Sequence, residues 1–233
     1  MTMTYRLHFA PDNASLIVRI ALEELGVAYE TALVDRSVRA QDTQAFRRIN
    51  PNGLIPALET PDGTLFETGA ILLWLADRNP GKLGPLPDQV ERSGFLKWLF
   101  FLSNTLHTSQ RMSVHPHRYV GEDLTAQSKM RTHLQNEISL HLDTLNAASA
   151  GTWFLGPSMS MIDIYLACLV RWIALYPAGT KPWFNLENWP KLHANCVRLE
   201  QQASTQTAQK SEGLGPNPFT APIYANPPEG SIT

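Results

Sequence analysis

The segment from Asn50 to Leu58 combines an Asn-Pro-Asn-Gly turn with the isoleucine–proline pair Ile55–Pro56. A cis peptide before Pro56 would turn the N–H and C=O of Ile55 outward, where an extended peptide can pair with them in antiparallel fashion. A trans peptide would simply begin an edge strand, because most X–Pro bonds in folded proteins are trans. The segment therefore predicts either a peptide-binding edge or an ordinary strand start.

Glu67 and Thr68 stand where a helix is predicted to begin. Backbone N–H groups of a first helical turn, with the Thr68 hydroxyl, can hold a carboxylate, and Glu67 can face an ammonium group. Ordinary capping offers another interpretation, with Thr68 as the N-cap and Glu67 compensating the helix dipole.

Ser160 and Asp163 have the spacing of a capping box. In that arrangement the Ser160 side chain accepts from a first-turn N–H while Asp163 reaches back to the start of the helix. The pattern predicts a structural role at the beginning of a buried helix.

Three histidines, His107, His115 and His117, lie close together in the chain. No cysteine or carboxylate stands at ligand spacing around them, so we predict no metal site. Phe101, Met112 and Tyr119 can form the floor of an apolar pocket, although aromatic and methionine side chains at helical spacing also build cores.

The first third of the chain alternates short strands with helices. Apolar and turn patterns predict strands at residues 4–9, 28–34, 55–59 and 64–66, and helices at 15–25, 40–49 and 68–77. Gly26 suits the left-handed cap of the first helix, and Asp62–Gly63 suits a hairpin turn. This order is that of a thioredoxin-like α/β domain, which we place at residues 1–79.

A linker is predicted at residues 80–88, where prolines and glycines exclude a helix or a central strand. Beyond it, residues 89–203 carry helical periodicity only, at 95–106, 124–145, 162–176 and 190–202. The predicted fold is thus a thioredoxin-like domain followed by an all-helical domain.

The last segment, residues 204–233, contains five prolines and three glycines. This composition predicts a segment without regular secondary structure. Phe219, Ile223 and Tyr224 are its apolar side chains, and we expect them to hold it against the body as an ordered arm.

Charge and composition exclude several classes of protein. Nineteen basic and 21 acidic residues leave a net charge of −2 with no basic stripe, so nucleic acid is not expected as a partner. Hydrophobic residues make up 43% of the chain and charged residues 17%, which is typical of a globular protein.

Export and membrane insertion are not expected either. Residues 1–8 are too polar for a signal peptide, and the apolar run 162–176 is interrupted by Asp163 and Arg171 and is too short to span a bilayer. Cys168 and Cys196 form no CxxC motif, which fits a reduced cytoplasmic protein.

The three motifs at 50–58, 67–68 and 160–163, in this order around a linker, resemble the cytosolic glutathione transferase superfamily over about residues 4–202. The resemblance does not cover the arm. It implies that the extended peptide is glutathione.

The resemblance also implies which residues bind glutathione. Many family members carry serine at the place of Thr68, and Glu67 would face the ammonium of the γ-glutamyl end. The implied glutathione-binding residues are Asn52, Ile55, Pro56, Glu67 and Thr68.

Catalysis in this family requires the glutathione sulfur as a thiolate, since the thiolate is the nucleophile. Residues 9–15 resemble the start of bacterial beta-class enzymes, which carry a cysteine and then a serine where this chain has Ala14 and Ser15. Because that cysteine is missing, mixed-disulfide chemistry is disfavoured. Ser15 becomes the leading thiolate stabiliser and Asn13 the reserve, although Ser15 is also what an N-cap would choose.

His107 resembles the beta-class histidine that lines the electrophile site, although Phe100 and Thr105 beside it depart from that pattern. The expected electrophile pocket comprises Phe101, His107, Met112 and Tyr119.

The resemblance implies a homodimeric glutathione transferase that adds the glutathione thiolate to a small hydrophobic electrophile, with glutathione as co-substrate and no metal. Two alternatives stay open: a non-catalytic ligand-binding member of the fold, and a glutathione-dependent lyase, isomerase or dehalogenase. A thioredoxin-type oxidoreductase is disfavoured, because no cysteine precedes the first helix.

Overall fold

The computed structural model describes residues 5–179 and 182–232, so Thr4, the first residue of the predicted first strand, and the last residue, Thr233, lie outside it. Its sheet has four strands in the order β2-β1-β3-β4. They are β1 (Tyr5–Phe9), β2 (Tyr29–Leu33), β3 (Ala57–Thr60) and β4 (Gly63–Phe66). β2 runs parallel to β1, and β3 is antiparallel to both β1 and β4, as a thioredoxin-like domain requires.

Strand register brings three segments that are far apart in sequence together at one end of the strands, and we call this end the shared edge of the sheet. His8 pairs with Ala57, and Ala57 pairs with Phe66. The residues that follow β1, those that precede β3 and those that follow β4 therefore lie side by side. Val34, just after β2, joins the same edge through an N–H donated to the Phe9 carbonyl at 2.8 Å.

Three helices pack around this sheet: α1 (Ser15–Leu25), α2 (Gln44–Ile49) and α3 (Thr68–Arg78). The prediction for α1 is confirmed, including Gly26 as its left-handed cap at φ 66°. The predicted helix at 40–49 is divided into a 3₁₀ turn (Ala40–Asp42) and α2. The division falls at Thr43, whose hydroxyl caps α2 by accepting from the Phe46 N–H at 3.3 Å.

The rest of the chain is helical wherever it is regular, apart from one isolated bridge between Trp153 and Gly156 among the described residues. Its helices are α4 (Arg92–Phe101), α5 (His107–Val114), α6 (His117–Val120), α7 (Leu124–Ala148), α8 (Met161–Leu175), α9 (Pro190–Glu200) and α10 (Ala203–Glu212). A π-helical turn (Leu102–Leu106) joins α4 to α5, and a 3₁₀ turn (Leu186–Asn188) precedes α9.

No helix in the described part of the chain is both long enough and apolar enough to cross a bilayer. Residues 80–88, the predicted linker, contain neither helix nor strand. The linker bonds to both sides, because Lys82 donates to the Leu25 carbonyl and the Met161 N–H donates to the Leu83 carbonyl, each at 2.8 Å. The exact domain bounds stay a prediction.

The expectation of irregular structure from residue 204 onward is wrong for α10. Every glycine and proline of the segment lies at or beyond Gly213, so its average composition conceals ten residues that can form a helix. Small side chains, among them Ser204, Thr205 and Ala208, are buried on α10, which packs against α1.

Residues 213–232 contain no helix or strand and lie against the body as an arm. Phe219 is 1% exposed, as expected of an anchor, but Ile223 and Tyr224 are 55% and 44% exposed. Polar contacts hold the arm where these two side chains were expected to do so. Glu200 on α9 accepts from the N–H groups of Phe219 and Thr220, both at 2.8 Å. Apolar side chains alone therefore do not hold the arm.

The predicted capping box at Ser160 and Asp163 is present. Oδ2 of the buried Asp163 accepts from the Ser160 N–H at 2.8 Å and from its hydroxyl at 2.9 Å. Oδ1 accepts from the Phe154 N–H at 2.7 Å and from Asn195 Nδ2 at 2.9 Å. The Asp163 carboxylate thus stabilises the first turn of α8 and connects it by hydrogen bonds to α9 and to the preceding loop.

Replacing Asp163 with alanine should lower the free energy of unfolding by about 3 kcal/mol or more, because buried donors lose their acceptor. Urea denaturation followed by circular dichroism measures the loss. The matched control is Asp88→Ala, since Asp88 is exposed and makes no described side-chain bond; it should change the value by about 0.5 kcal/mol or less. Equal effects of the two substitutions would contradict the role assigned to Asp163.

Candidate active site

Ile55 presents its backbone at the shared edge of the sheet. The Ile55–Pro56 peptide is cis, as the peptide-binding interpretation expected. Among the described residues, neither the N–H nor the C=O of Ile55 has a hydrogen-bond partner, although the Leu54 carbonyl before it is bonded and β3 begins at Ala57. A half-buried backbone N–H and C=O that face no protein partner can pair with an extended ligand.

The turn before Ile55 is held by Asn50, which is 2% exposed. Its Nδ2 donates to the Leu54 carbonyl at 2.7 Å and its Oδ1 accepts from the Asn52 N–H at 3.1 Å. Gly53 adopts φ 63° and has the Gln41 carbonyl 2.9 Å from where a Cβ would stand, so only glycine fits. Asn52 itself is exposed at this edge.

Glu67 and Thr68 lie beside Pro56, as the register of β3 and β4 dictates. Glu67 has a positive φ of 70°, a conformation that costs a non-glycine residue about 1–3 kcal/mol and is concentrated at functional sites. It is exposed and occupies the N-cap position, so Thr68 is the first residue of α3 and not the cap. No described residue bonds to the Thr68 hydroxyl.

Ser15 does not offer its hydroxyl to a ligand. The residue is fully buried, and the hydroxyl donates to the Ala10 carbonyl at 3.0 Å while it accepts from the Ala10 N–H at 3.3 Å. Ala14 occupies the N-cap position of α1, so Ser15 does not cap the helix either. The serine closes the turn after β1, and a catalytic role for it gains no support from the geometry.

Asn13 is half-buried in the same turn. Its Oδ1 accepts from the Ala14 N–H at 2.8 Å, which fixes the orientation of the side-chain amide. The Nδ2 group therefore faces away from Ala14, and no described residue accepts from it. It is a free N–H donor two residues before Ser15.

The four predicted pocket residues lie on three consecutive helices, α4, α5 and α6. Phe101 packs edge-on against Trp98 and against His141 of α7, with ring centroids 5.5 and 5.6 Å apart. Met112 is half-buried on α5, whereas Tyr119 on α6 is 42% exposed. Phe101 thus contributes to the packing between helices, and the pocket stays a prediction.

His107 points to α8. Its Nδ1 lies 2.9 Å from the Tyr165 hydroxyl, and its ring lies 5.9 Å from that of Trp172. Burial, with a contribution from Arg111, lowers the pKa of His107 to about 4, so the ring is neutral at physiological pH. The part of the chain that the structure describes holds no cluster of ligands suited to a metal ion.

A buried network around Asp12 is the main feature that sequence reasoning missed. Asp12 has a positive φ of 50° and is 6% exposed. Its Oδ1 accepts from Arg171 Nε and Trp172 Nε1, both at 2.8 Å, and its Oδ2 accepts from Arg171 Nη2 at 2.8 Å and the Tyr176 hydroxyl at 3.2 Å. An arginine in the middle of an apolar run of α8 was the available signal, because a buried charge needs a partner.

Glu212, the last residue of α10, completes this network and is fully buried. It accepts from the Asp12 N–H and from Arg19 Nε, both at 2.8 Å. Burial raises the pKa of Glu212 to about 7, and the Arg19 guanidinium opposes that rise.

Comparisons with known proteins agree with this arrangement. Residues 1–77 match the model of the glutathione S-transferase N-terminal domain. Glutathione S-transferase GstA of Escherichia coli O157:H7 is 27% identical over 215 residues, which cover 90% of this chain and 99% of that protein.

Two solved structures extend the likeness over both parts of the fold. A sphingomonad glutathione S-transferase complexed with glutathione is 30% identical, with a TM-score of 0.74, and covers 90% of this chain and 100% of its own. A ternary complex of BphK, a bacterial transferase, is 29% identical with a TM-score of 0.76 at the same coverage.

The thioredoxin-like domain with its helical partner defines a glutathione transferase fold. The chain belongs to the cytosolic glutathione transferase superfamily.

The raised pKa of Glu212 predicts a pH dependence of stability. The folded carboxyl group titrates near 7 and the unfolded one near its ordinary 4.5, so the folded state binds more protons between these values. The wild-type free energy of unfolding should fall, relative to that of Glu212→Gln, by on the order of 3 kcal/mol as the pH rises through this window.

Urea denaturation of both proteins across that window measures the difference. Glu229→Gln is the matched control, because Glu229 is an exposed glutamate of the arm that follows α10. A parallel pH profile for wild type and Glu212→Gln would contradict the shifted pKa.

Proposed function

We propose that this protein is a glutathione transferase that adds the glutathione thiolate to a small hydrophobic electrophile. The observation that carries the proposal is the backbone of Ile55, which no described residue bonds, on the edge where the Thr68 hydroxyl and the Asn13 Nδ2 group likewise have no partner among the described residues. These groups match an extended tripeptide with a carboxylate at one end and a thiol in the middle.

Glutathione would lie along this edge in an extended form. Its cysteinyl N–H and C=O would pair with the C=O and N–H of Ile55, as a strand adds to a sheet. Its γ-glutamyl carboxylate would accept from the Thr68 hydroxyl and from the first N–H groups of α3, where the helix dipole favours an anion. Glu67, exposed beside them, would face the ammonium group, and Asn52 would line the approach.

Asn13 replaces Ser15 as the group that we propose to stabilise the thiolate. Its Nδ2 is a free donor, whereas the Ser15 hydroxyl is already used by Ala10. A hydrogen bond to the charged form favours that form and so lowers the pKa of the glutathione thiol from an ordinary value of about 8.5.

The chemical step needs no further protein group. With an aryl chloride as the electrophile, the thiolate sulfur forms a bond to the ring carbon, and chloride leaves with the electron pair of the carbon–chlorine bond. The thiol proton passes to solvent when the thiolate forms. Holding both reactants at one site accounts for most of the gain in rate.

The electrophile would lie between this edge and the helical domain. His107, Met112 and Tyr119 remain candidates to line its pocket, and neutral imidazole and phenol rings suit an uncharged aromatic acceptor. Phe101 contributes only indirectly, through its packing with α7.

The function is tested by titrating the thiol of bound glutathione and by assaying conjugation with chlorodinitrobenzene. The proposal expects a thiolate absorbance that appears at lower pH on the protein than in free solution, together with steady release of chloride. Glutathione bound with a thiol pKa no lower than in solution would overturn it.

Asn13→Ala should lower kcat/KM for conjugation by about 100-fold, the usual effect of losing one donor to a developing anion. It should also raise the thiol pKa of bound glutathione. Ser15→Ala is the comparison variant, and a ten-fold smaller effect is expected because its hydroxyl serves the turn. If Ser15→Ala reduces kcat/KM more than Asn13→Ala does, the assignment is wrong.

Thr68→Val removes one hydroxyl and keeps the shape of the side chain. The dissociation constant for glutathione should rise about ten-fold or more, since a hydrogen bond to a charged group contributes about 1.5–3 kcal/mol. Isothermal titration calorimetry measures it. Thr64→Val on β4 is the control, because Thr64 is an exposed threonine on the same hairpin, and equal affinities of all three proteins would contradict the role of Thr68.

A second candidate is a ligand-binding member of the family without transferase activity. Ala14 at the cysteine position and the internally bonded Ser15 favour it, because both usual sources of sulfur chemistry are missing. It predicts glutathione binding with an unchanged thiol pKa and no conjugation, so the titration above separates the two candidates.

A further inference from the structure

The arm encloses the side chain of Arg171. Arg171 is fully buried, and Asp12 takes two of its five N–H groups. The other three donate to backbone carbonyls of the arm, those of Leu214 at 3.3 Å, Pro218 at 3.1 Å and Ile223 at 2.9 Å. Every N–H donor of the guanidinium has an acceptor only when both the loop between β1 and α1, which carries Asp12, and the arm are in place.

The end of α10, just before the arm, contacts the backbone of Asp12 directly. Glu212 accepts the Asp12 N–H, so α8 holds the side chain of Asp12 and α10 holds its main chain. The aspartate carboxylate accepts four hydrogen bonds and is therefore not free to act as a base. Its role is to set the path of the loop.

The end of the arm contacts the same loop from another side. A Cβ at Gly230 would lie 2.7 Å from Leu33 Cδ1 and 3.3 Å from Pro11 Cδ, which shows how closely the arm backbone approaches both. Pro11 precedes Asp12, and Leu33 ends β2 beside it. Residues 11 and 12 are thus enclosed by the arm and by α8.

Asn13 follows Asp12 immediately. Asp12 stands in the left-handed region, which costs a non-glycine residue free energy, and a change of its backbone angles would redirect the Asn13 side chain. The direction of the Asn13 Nδ2 group therefore depends on the contacts that hold Asp12.

We propose that Glu212 and Arg171 are positioning residues of the active site, and that the end of α10 and the arm are working parts of it. They act through Asp12 to aim the Asn13 amide at the glutathione sulfur. This inference rests on the proposed function, in which Asn13 stabilises the thiolate. It assigns α10 and the arm, which lie outside the motifs of the family, an indirect effect on sulfur chemistry.

The test compares wild type, Glu212→Ala and the exposed arm control Glu229→Ala. Glu212→Ala should raise the thiol pKa of bound glutathione by about one unit. Its kcat/KM should fall about ten-fold below the thiol pKa and recover above it, where the sulfur ionises without help. The dissociation constant for glutathione should stay within about three-fold of wild type, because Ile55 and Thr68 are untouched.

A purely structural role would lower the urea midpoint of Glu212→Ala and leave the thiol pKa and the shape of the pH profile unchanged, and that result would overturn the inference. If circular dichroism shows Glu212→Ala to be unfolded, Glu212→Met decides, since its unbranched side chain fills the same space and replaces neither carboxylate hydrogen bond. A thiol pKa in Glu212→Met equal to that of wild type would overturn the inference as well.

The failure of this inference is distinguishable from the failure of the proposed function. If wild type itself leaves the glutathione thiol pKa at its solution value, the transferase proposal fails. If wild type lowers it and the Glu212 variants lower it equally, only the positioning role is lost.

Discussion

The ion pair between Asp12 and Arg171 joins three parts of the chain that are far apart in sequence. Both side chains are fully buried, so each charge loses its hydration, and such a pair is stable only when every donor and acceptor is satisfied. Here α8 supplies the arginine, the loop after β1 supplies the carboxylate, and the arm supplies three carbonyls. Loss of any one part would leave a buried charge without its partners.

This constraint bears on the site because the loop between β1 and α1 carries little chemistry in its side chains. Ala14 has none, Ser15 bonds back to Ala10, and Asp12 is committed to Arg171. The Asn13 amide and the backbone of Ile55 remain. Groups of this kind act by position, since an amide dipole stabilises a thiolate only when it is aimed at the sulfur.

Much of the fold follows from local pattern. The period of the apolar residues and Gly26 are sufficient to place α1, and the spacing of Ser160 and Asp163 predicts the start of α8. The composition averaged over residues 204–233 did not predict α10, because the glycines and prolines from Gly213 onward outweighed the helical stretch before them. The role of Phe101 cannot be read from the sequence for a different reason: helical spacing shows that one face is apolar, but not whether that face meets a ligand or another helix.

By itself, the sequence determined the thioredoxin-like order of elements, the helical second part and the segment around Pro56 as the candidate ligand-binding edge, because these depend on near neighbours along the chain. Only the tertiary structure decided the state of the loop residues. Ser15 is occupied and Asn13 free because of hydrogen bonds within a single turn, and that turn is held by Arg171, 159 residues further along the chain, and Glu212, 200 residues further along. Buried charges choose partners by distance in space, which spacing in sequence does not encode.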